Sequence, residues 1–222
     1  MWKKKNKGDY EKQRNDLVDS LMRKGYVESE KVEEAMRKVP RHEFVPEQVR
    51  KQAYIDSPQP IGEGQTISAP HMVAMMVENL DLKEGQKVLE IGGGMGYHAS
   101  VISEIVGKEG EVYSIEYIGS LAESAQKRVE EVGYKNVKII QGDGSSGYEK
   151  GAPYDRISVA CGAPSIPYPL IEQLVIEGKI LIPIGSKFFQ SLIKATKKGE
   201  KKIEKENLGG VRFVPLMGEY GF

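Results

Sequence analysis

The run Val88-Leu89-Glu90-Ile91-Gly92-Gly93-Gly94-Met95-Gly96-Tyr97 constrains this chain more than any other segment. Its apolar start reads as a strand, its glycines as a tight loop, and the residues from Tyr97 onward as a helix. In an open α/β sheet, a loop at the carboxyl end of the first strand lies in the crevice where ligands bind. Gly92, Gly94 and Gly96 let the backbone approach such a ligand where a Cβ would stand in the way. Beyond the loop, strand-like runs at 87–91, 111–116, 137–141, 155–160 and 179–184 alternate with helix-like segments at 97–106, 118–132 and 166–177. That alternation predicts an α/β fold with a mainly parallel central sheet. Further strands at 190–198 and 211–216, separated by the charged stretch 197–210, read as antiparallel strands at a sheet edge. The lysine cluster near residue 200 reads as a solvated hairpin.

The ligand this loop suits is narrowed by what is missing. A dinucleotide fingerprint requires glycine or alanine where Tyr97 stands, because the helix must pack tightly and seat a pyrophosphate at its N-terminus. No Gly-Lys-Ser/Thr tripeptide is present, so a phosphate-cradling P-loop is excluded. Taken singly, the glycine loop is compatible with a plain connection, and an acid at a strand end with a surface residue or a cap. Glu90, Glu116 and Asp143, however, fall at the ends of three successive strands facing one crevice. Glu116 closes its strand about 20 residues beyond the loop, where a carboxylate can accept both hydroxyls of a ribose. Asp143, between Gly142 and Gly144, is placed to accept a hydrogen bond from an adenine amino group.

From Val88 to Ala160 this arrangement resembles the S-adenosylmethionine-dependent methyltransferases. The resemblance implies a Rossmann-like fold and S-adenosyl-L-methionine as cofactor, with S-adenosyl-L-homocysteine as product. The cofactor-binding residues are expected to be Glu90, Gly92, Gly94, Gly96, Glu116, Asp143 and Gly144. An acid-lined pocket also suits a cationic sulfonium better than a phosphate.

Upstream of the loop, Leu17, Val18, Leu21 and Met22 recur at helical spacing before Gly25, and Val32, Ala35, Met36 and Val39 form a second amphipathic helix ended by Pro40. Prolines 40, 46, 58 and 60 disfavour regular structure over 40–60. A buried helix begins near Pro70, with Ser68 placed as its N-cap. The expected organisation is one structural unit. In it, residues 1–80 form a helical and substrate-loop segment packed on a core of residues 81–222.

The 222 residues suffice for one substantial core. Thirty-two basic and 32 acidic residues cancel, so no net field draws the chain to nucleic acid or to an anionic membrane. A single cysteine, Cys161, excludes an internal disulfide and makes a thiolate metal site implausible, so no metal is expected. Without an apolar run of signal or membrane-spanning length, the chain reads as a soluble cytoplasmic protein; a monomer is the expected state.

The acceptor must be sought outside the cofactor module. Ile61-Gly62-Glu63-Gly64-Gln65-Thr66-Ile67-Ser68-Ala69-Pro70-His71 resembles the signature that precedes the cofactor domain in protein-L-isoaspartate O-methyltransferases. Val39-Pro40-Arg41-His42-Glu43-Phe44-Val45-Pro46 is similar to a second stretch of that family. Ala152 to Arg156 and Val211 to Leu216 are similar to further family elements. This resemblance implies a protein-repair enzyme that methylates the free α-carboxylate of L-isoaspartyl residues, with D-aspartyl residues as a further acceptor, in damaged proteins and peptides. It implies Ser68 as the active-site residue and Thr66, Ile67, Ser68, Ala69, His71 and Val214 as substrate contacts. His71 also reads as an ordinary hydrogen-bonding residue of a helix's first turn, and 211–216 as either a strand along the substrate backbone or a buried strand. One departure stands out: the family loop commonly carries hydroxylated residues where this chain has Gly93 and Met95, which puts their side-chain bonds to the cofactor in question. A methyltransferase for another acceptor, or a binding module that holds the cofactor as a regulator, would not need the Thr66–His71 loop.

Overall fold

A computed structural model describes residues 2–222, with side chains from Asp9 onward. The chain runs α1 (Trp2–Arg23), α2 (Glu30–Lys38), β1 (Gln59–Gly62), β2 (Gln65–Ile67), α3 (Pro70–Leu80), β3 (Lys87–Ile91), α4 (Tyr97–Val106), β4 (Glu111–Glu116), α5 (Gly119–Val132) and β5 (Val137–Gln141). It continues through β6 (Tyr154–Val159), α6 (Tyr168–Glu172), β7 (Leu174–Gly185), β8 (Gln190–Gly199) and β9 (Lys202–Val211).

Seven strands form one sheet in the order β5-β4-β3-β6-β7-β8-β9. Pairing is parallel from β5 through β7 and antiparallel for β7–β8 and β8–β9. Chain order reverses beside β3, so the crevice of this sheet opens at the carboxyl ends of β3, β4 and β6, where the glycine loop begins. This is the mainly parallel, Rossmann-like α/β sheet with antiparallel C-terminal edge strands that the sequence predicts.

Period-two alternation divides the core between the two sheet faces. Val88, Val112 and Leu181 pack with α1 to α5, whereas Leu89, Ile115, Ile180 and Ile182 pack with Leu170 and Ile171 of α6 on the other side. The first cluster draws Leu21, Val32, Met36, Val73 and Val77 from the N-terminal helices into the same packing as Val101 and Ile102 of α4. Each such fully buried aliphatic is worth about 1.5–3 kcal/mol. The C-terminal end of α3 is closed by Arg156, which donates to the carbonyls of Leu80 and Asp81.

Four expectations are corrected. The helix placed at 166–177 is only Tyr168–Glu172, opened by Pro167 and Pro169. The chain then turns extended at Leu174, and a bulge with Glu177 at φ 63° shifts the register of β7 against β6. The strand expected at 211–216 does not form. The charged stretch instead builds the end of β8 and all of β9, and only an isolated bridge from Pro215 to Gly162 follows. A sheet edge tolerates that sequence because its side chains are solvated and pair across the strands, as Lys194 does with Glu206 at 2.5 Å. Between the prolines of 40–60 lie two 3-10 turns, Arg41–Phe44 and Glu47–Gln52, and the β1 strand. Ser68 does not cap α3: Ala69 holds the N-cap position, and Pro70 opens the helix.

No helix among the described residues is long and apolar enough to cross a membrane, and no cluster of metal-ligating side chains occurs among them.

Candidate active site

Two glutamates organise the crevice. Glu116, buried at the end of β4, accepts from the Gly94 amide at 2.8 Å and the Ile118 amide at 2.9 Å, so one carboxylate ties the glycine loop to the β4–α5 turn. Burial raises its pKa above the usual carboxylate range, and the two amide bonds offset only part of that shift. Glu90, fully buried at the end of β3, accepts from the Ser114 hydroxyl at 2.5 Å. Its other oxygen stands 3.2 Å from His98 Nδ1. That oxygen and His98 Nε2 are both buried without a hydrogen-bond partner among the described residues.

The glycine loop turns because Gly92, Gly94 and Gly96 adopt φ of 85°, 55° and 86°, which side-chain-bearing residues rarely take. Gly92 and Gly93 donate to the Ile115 carbonyl. A Cβ at Gly93 would collide with the Ser114 hydroxyl. The hydroxyl missing from the loop is therefore present on β4, already bonded to Glu90. Gly96 serves packing instead: a Cβ there would come within 2.7 Å of Val129 on α5.

A cavity of about 460 Å³ lies between this loop and the β1–β2 hairpin. Thr66, Ile67, Ser68, Glu90, Gly92, Gly94, Glu116, Gly144 and Val214 line it. The structure thus brings these sequence-predicted residues together. The hairpin closes one side, its tip bonded to α5 through Ser120 Oγ donating to Glu63 at 3.0 Å.

Beside it runs an open groove of about 1110 Å³, lined by Thr66, Ser68, Ala69 and His71 on one wall and by Lys187, Phe188, Phe189 and Arg212 to Pro215 on the other. Phe188 and Phe189, on the β7–β8 turn, are 67% and 80% exposed. Thr66, Ser68, Ala160, Val214 and Pro215 face both spaces, so cavity and groove meet at Ser68.

Four predicted residues stand apart from the cavity wall, Gly96 among them, packed behind the loop on α5. Ala69 and His71 belong to the groove, and His71 Nδ1 is held by Asp56 at 2.8 Å, with the His71 amide on the same oxygen. Asp143 turns to the C-terminal segment. Its carboxylate accepts from the Ser145 amide and hydroxyl and from the Glu219 amide at 2.8 Å. Burial opposes its ionisation, but these bonds together hold its pKa below the usual range. Gly218, at φ 126°, passes so close to that carboxylate that a Cβ would collide with it.

Sequence reasoning assigned no role to Arg41, His98, Ser114, Cys161 or Met217. The last four line or brace the cavity. Burial pushes the Cys161 thiol strongly up, which leaves it inert. Their signal is purely spatial, since each comes from a different element.

The residues fit S-adenosyl-L-methionine. The cavity combines buried acids suited to a sulfonium and an ammonium, unpartnered polar atoms at Glu90 and His98, and backbone exposed by glycines.

The sequence profile described as protein-L-isoaspartate(D-aspartate) O-methyltransferase matches residues 12–221. Protein-L-isoaspartate O-methyltransferase 2 of Archaeoglobus fulgidus is 58% identical over 214 residues, 96% of this chain and 97% of that protein. The Methanothermobacter thermautotrophicus protein-L-isoaspartate O-methyltransferase is 54% identical, covering 95% of this chain and 97% of that protein. A Plasmodium falciparum structure described under the same activity, in complex with S-adenosyl-L-homocysteine, superposes with a TM-score of 0.81 at 28% identity, over 92% of this chain and 98% of that one. Another solved protein-L-isoaspartate O-methyltransferase gives a TM-score of 0.86 at 33% identity, over 94% of this chain and 67% of that one. With a profile and relatives that span almost its whole length, and a cavity whose acids and glycines suit their shared cofactor, the chain belongs to the protein-L-isoaspartate(D-aspartate) O-methyltransferase family.

Proposed function

We propose that the chain transfers a methyl group from S-adenosyl-L-methionine to the free α-carboxylate of L-isoaspartyl residues in damaged proteins and peptides. The observation that carries this reading is the position of Ser68, on the wall where an acid-lined cavity meets a larger groove. A small cofactor suits the first space and an extended polypeptide the second.

The cofactor supplies a methyl carbon made electrophilic by the sulfonium. The acceptor carboxylate is ionised at neutral pH and needs no general base. A carboxylate oxygen forms the new C–O bond as the S–C bond breaks, and the pair of opposite charges becomes a neutral ester and a neutral thioether. What the protein must provide is alignment and exclusion of water. In this reading the Ser68 hydroxyl orients the carboxylate, and Thr66, Ile67, Ala69, His71 and Val214 form the walls around it. Glu116 takes the ribose hydroxyls, Glu90 the cationic end, and the Gly92 and Gly94 backbone the cofactor flank. Gly144 lines the adenine end, with Asp143 fixing the C-terminal segment beside it, and Gly96 supports the loop from behind. The ester then lets the following backbone nitrogen close a succinimide with loss of methanol. Hydrolysis of that ring returns part of the chain to normal aspartate.

The single hydrophobic cluster shared by residues 17–77 and the sheet supports one structural unit, with the acceptor loop in 1–80 and the cofactor core in 81–222. Action as a monomer fits a site lined by one chain, and a cytosolic setting fits the free, buried Cys161.

The test is a peptide containing isoaspartate beside its aspartate twin, each incubated with radiolabelled S-adenosyl-L-methionine. Label enters the isoaspartyl peptide alone; equal or absent labelling rejects the reading. Ser68→Ala is expected to lower turnover by about 5- to 150-fold, equivalent to roughly 1–3 kcal/mol, with little change in cofactor affinity.

A further inference from the structure

Arg41 is the largest fully buried side chain of the molecule among the described residues, with no exposed surface. Its guanidinium donates from Nε to the Ala53 carbonyl and from Nη2 to the Ser68 carbonyl, each at 2.8 Å. It lies 4.9 Å from the centre of the Tyr97 ring. Both hydrogen bonds go to backbone carbonyls, and Nη1 is buried without a partner among the described residues. A buried guanidinium in such a setting is expensive to desolvate, and its burial lowers its pKa. As a mere filler of the core, an apolar side chain would serve better.

What the guanidinium does that no apolar group can is join the two halves of the site. Ser68 belongs to the acceptor loop. Tyr97 is the first residue of α4, directly after the glycine loop, and is one of the residues lining the acid-lined cavity. One rigid, planar fork therefore holds the Ser68 loop by its carbonyl and lies over the ring of the first residue of α4. The bond to the Ser68 carbonyl also polarises the Ser68–Ala69 peptide.

We propose that Arg41 is a positioning residue for methyl transfer, one that sets the acceptor loop relative to the cofactor through the Ser68 carbonyl and the Tyr97 ring. This rests on the activity proposed above. Arg41 touches neither reactant; it acts through the placement of Ser68. A misplacement of about 1 Å in a two-reactant site costs on the order of 100-fold in rate.

The experiment compares Arg41→Met and Arg41→Lys with the unchanged protein, alone and combined with Ser68→Ala. Affinity and stoichiometry for S-adenosyl-L-homocysteine come from calorimetry, and kcat and KM from an isoaspartyl peptide. Arg41→Met is expected to lower kcat per cofactor-binding site by about tenfold or more while the product Kd moves by less than about threefold. Arg41→Lys, whose ammonium keeps one carbonyl contact, recovers part of the loss. In the Ser68→Ala background the Arg41→Met effect shrinks to less than about threefold, because no hydroxyl remains to be placed. A fall in stoichiometry with unchanged kcat per binding site overturns the proposal in favour of a purely structural role. So does an equal loss in both Ser68 backgrounds.

Hydrogen exchange of the Ser68 and Ala69 amides supplies a readout independent of activity and of the Met variant's folding. It should accelerate by about tenfold in Arg41→Lys, and unchanged exchange also overturns the proposal. Failure of the unchanged protein to label the peptide counts against the activity alone, and the exchange result still decides the tether.

Discussion

Glu116 ties the glycine loop to the β4–α5 turn with one carboxylate, and in the proposed function the same carboxylate takes the ribose hydroxyls, so its protonation separates the two roles. Burial raises its pKa, whereas ribose hydroxyls donating to it would favour the anion. Cofactor affinity should therefore be constant above the raised pKa and fall by about tenfold per pH unit below it. The sign for folding is opposite. A carboxyl whose folded pKa is raised binds protons more readily in the folded state, so its stability contribution is present at low pH and lost as pH rises through the folded value. Glu116→Gln is thus expected to weaken cofactor binding by about 5- to 150-fold at neutral pH and remove this acid dependence. The ligand-free protein should gain no stability at neutral pH, because Gln keeps only one acceptor oxygen for the Gly94 and Ile118 amides and the lost bond offsets the relief of the buried charge. Calorimetry against pH, with melting curves, checks both halves. The Gly93–Ser114 pair makes a related point. The absence of a hydroxyl at position 93 was legible, but its replacement by Ser114 was not, because a contact between Glu90 and Ser114 spans 24 residues of sequence.

At the scale of elements, β3, β4, β5 and α4 occupy the residues that periodicity predicts, because each is a short amphipathic or buried run bounded by glycine or charged residues. The β1–β2 hairpin escaped that reading, and β9 was legible only as part of the solvated hairpin near residue 200. The first is too short to show a period, and the second is charged because it is a solvated edge. The β7–β8 turn carries the prediction at this level. Phe188 and Phe189 are exposed beside the groove, placed to take apolar side chains flanking the acceptor residue. Phe188→Ser with Phe189→Ser should raise KM by about fivefold for peptides with apolar flanking residues, leaving kcat and cofactor affinity in place. Peptides flanked by small polar residues should show little change. Steady-state kinetics on the two peptide sets reads the difference.

Across the whole molecule, the last residues return to the cofactor end of the sheet. Asp143, after β5, holds the Glu219 amide, and Ser145 Oγ accepts from the Tyr220 amide at 3.0 Å, while Met217 lines the cavity. Gly218 permits this closure by its φ of 126° and its lack of a Cβ. Gly218→Ala should release the segment and weaken cofactor binding by about tenfold, while thermal stability falls by more than about 1 kcal/mol, since Ala is strained at this φ and its Cβ meets the Asp143 carboxylate. Calorimetric titration and a melting curve test this, and an unchanged affinity would remove the segment from the cofactor site.

The sequence alone determined the parallel α/β core, the glycine loop with Glu90 and Glu116 at its flanks, and the 61–71 motif around Ser68. Those features are local: hydrophobic periodicity, glycine conformations and short motifs write them into contiguous residues. Tertiary structure decided where the Asp143 carboxylate turns, which hydroxyl serves Glu90, and that Arg41 binds the acceptor loop to Tyr97. Each of these depends on polar groups far apart in the chain finding partners once burial removes water, and no local pattern records that choice.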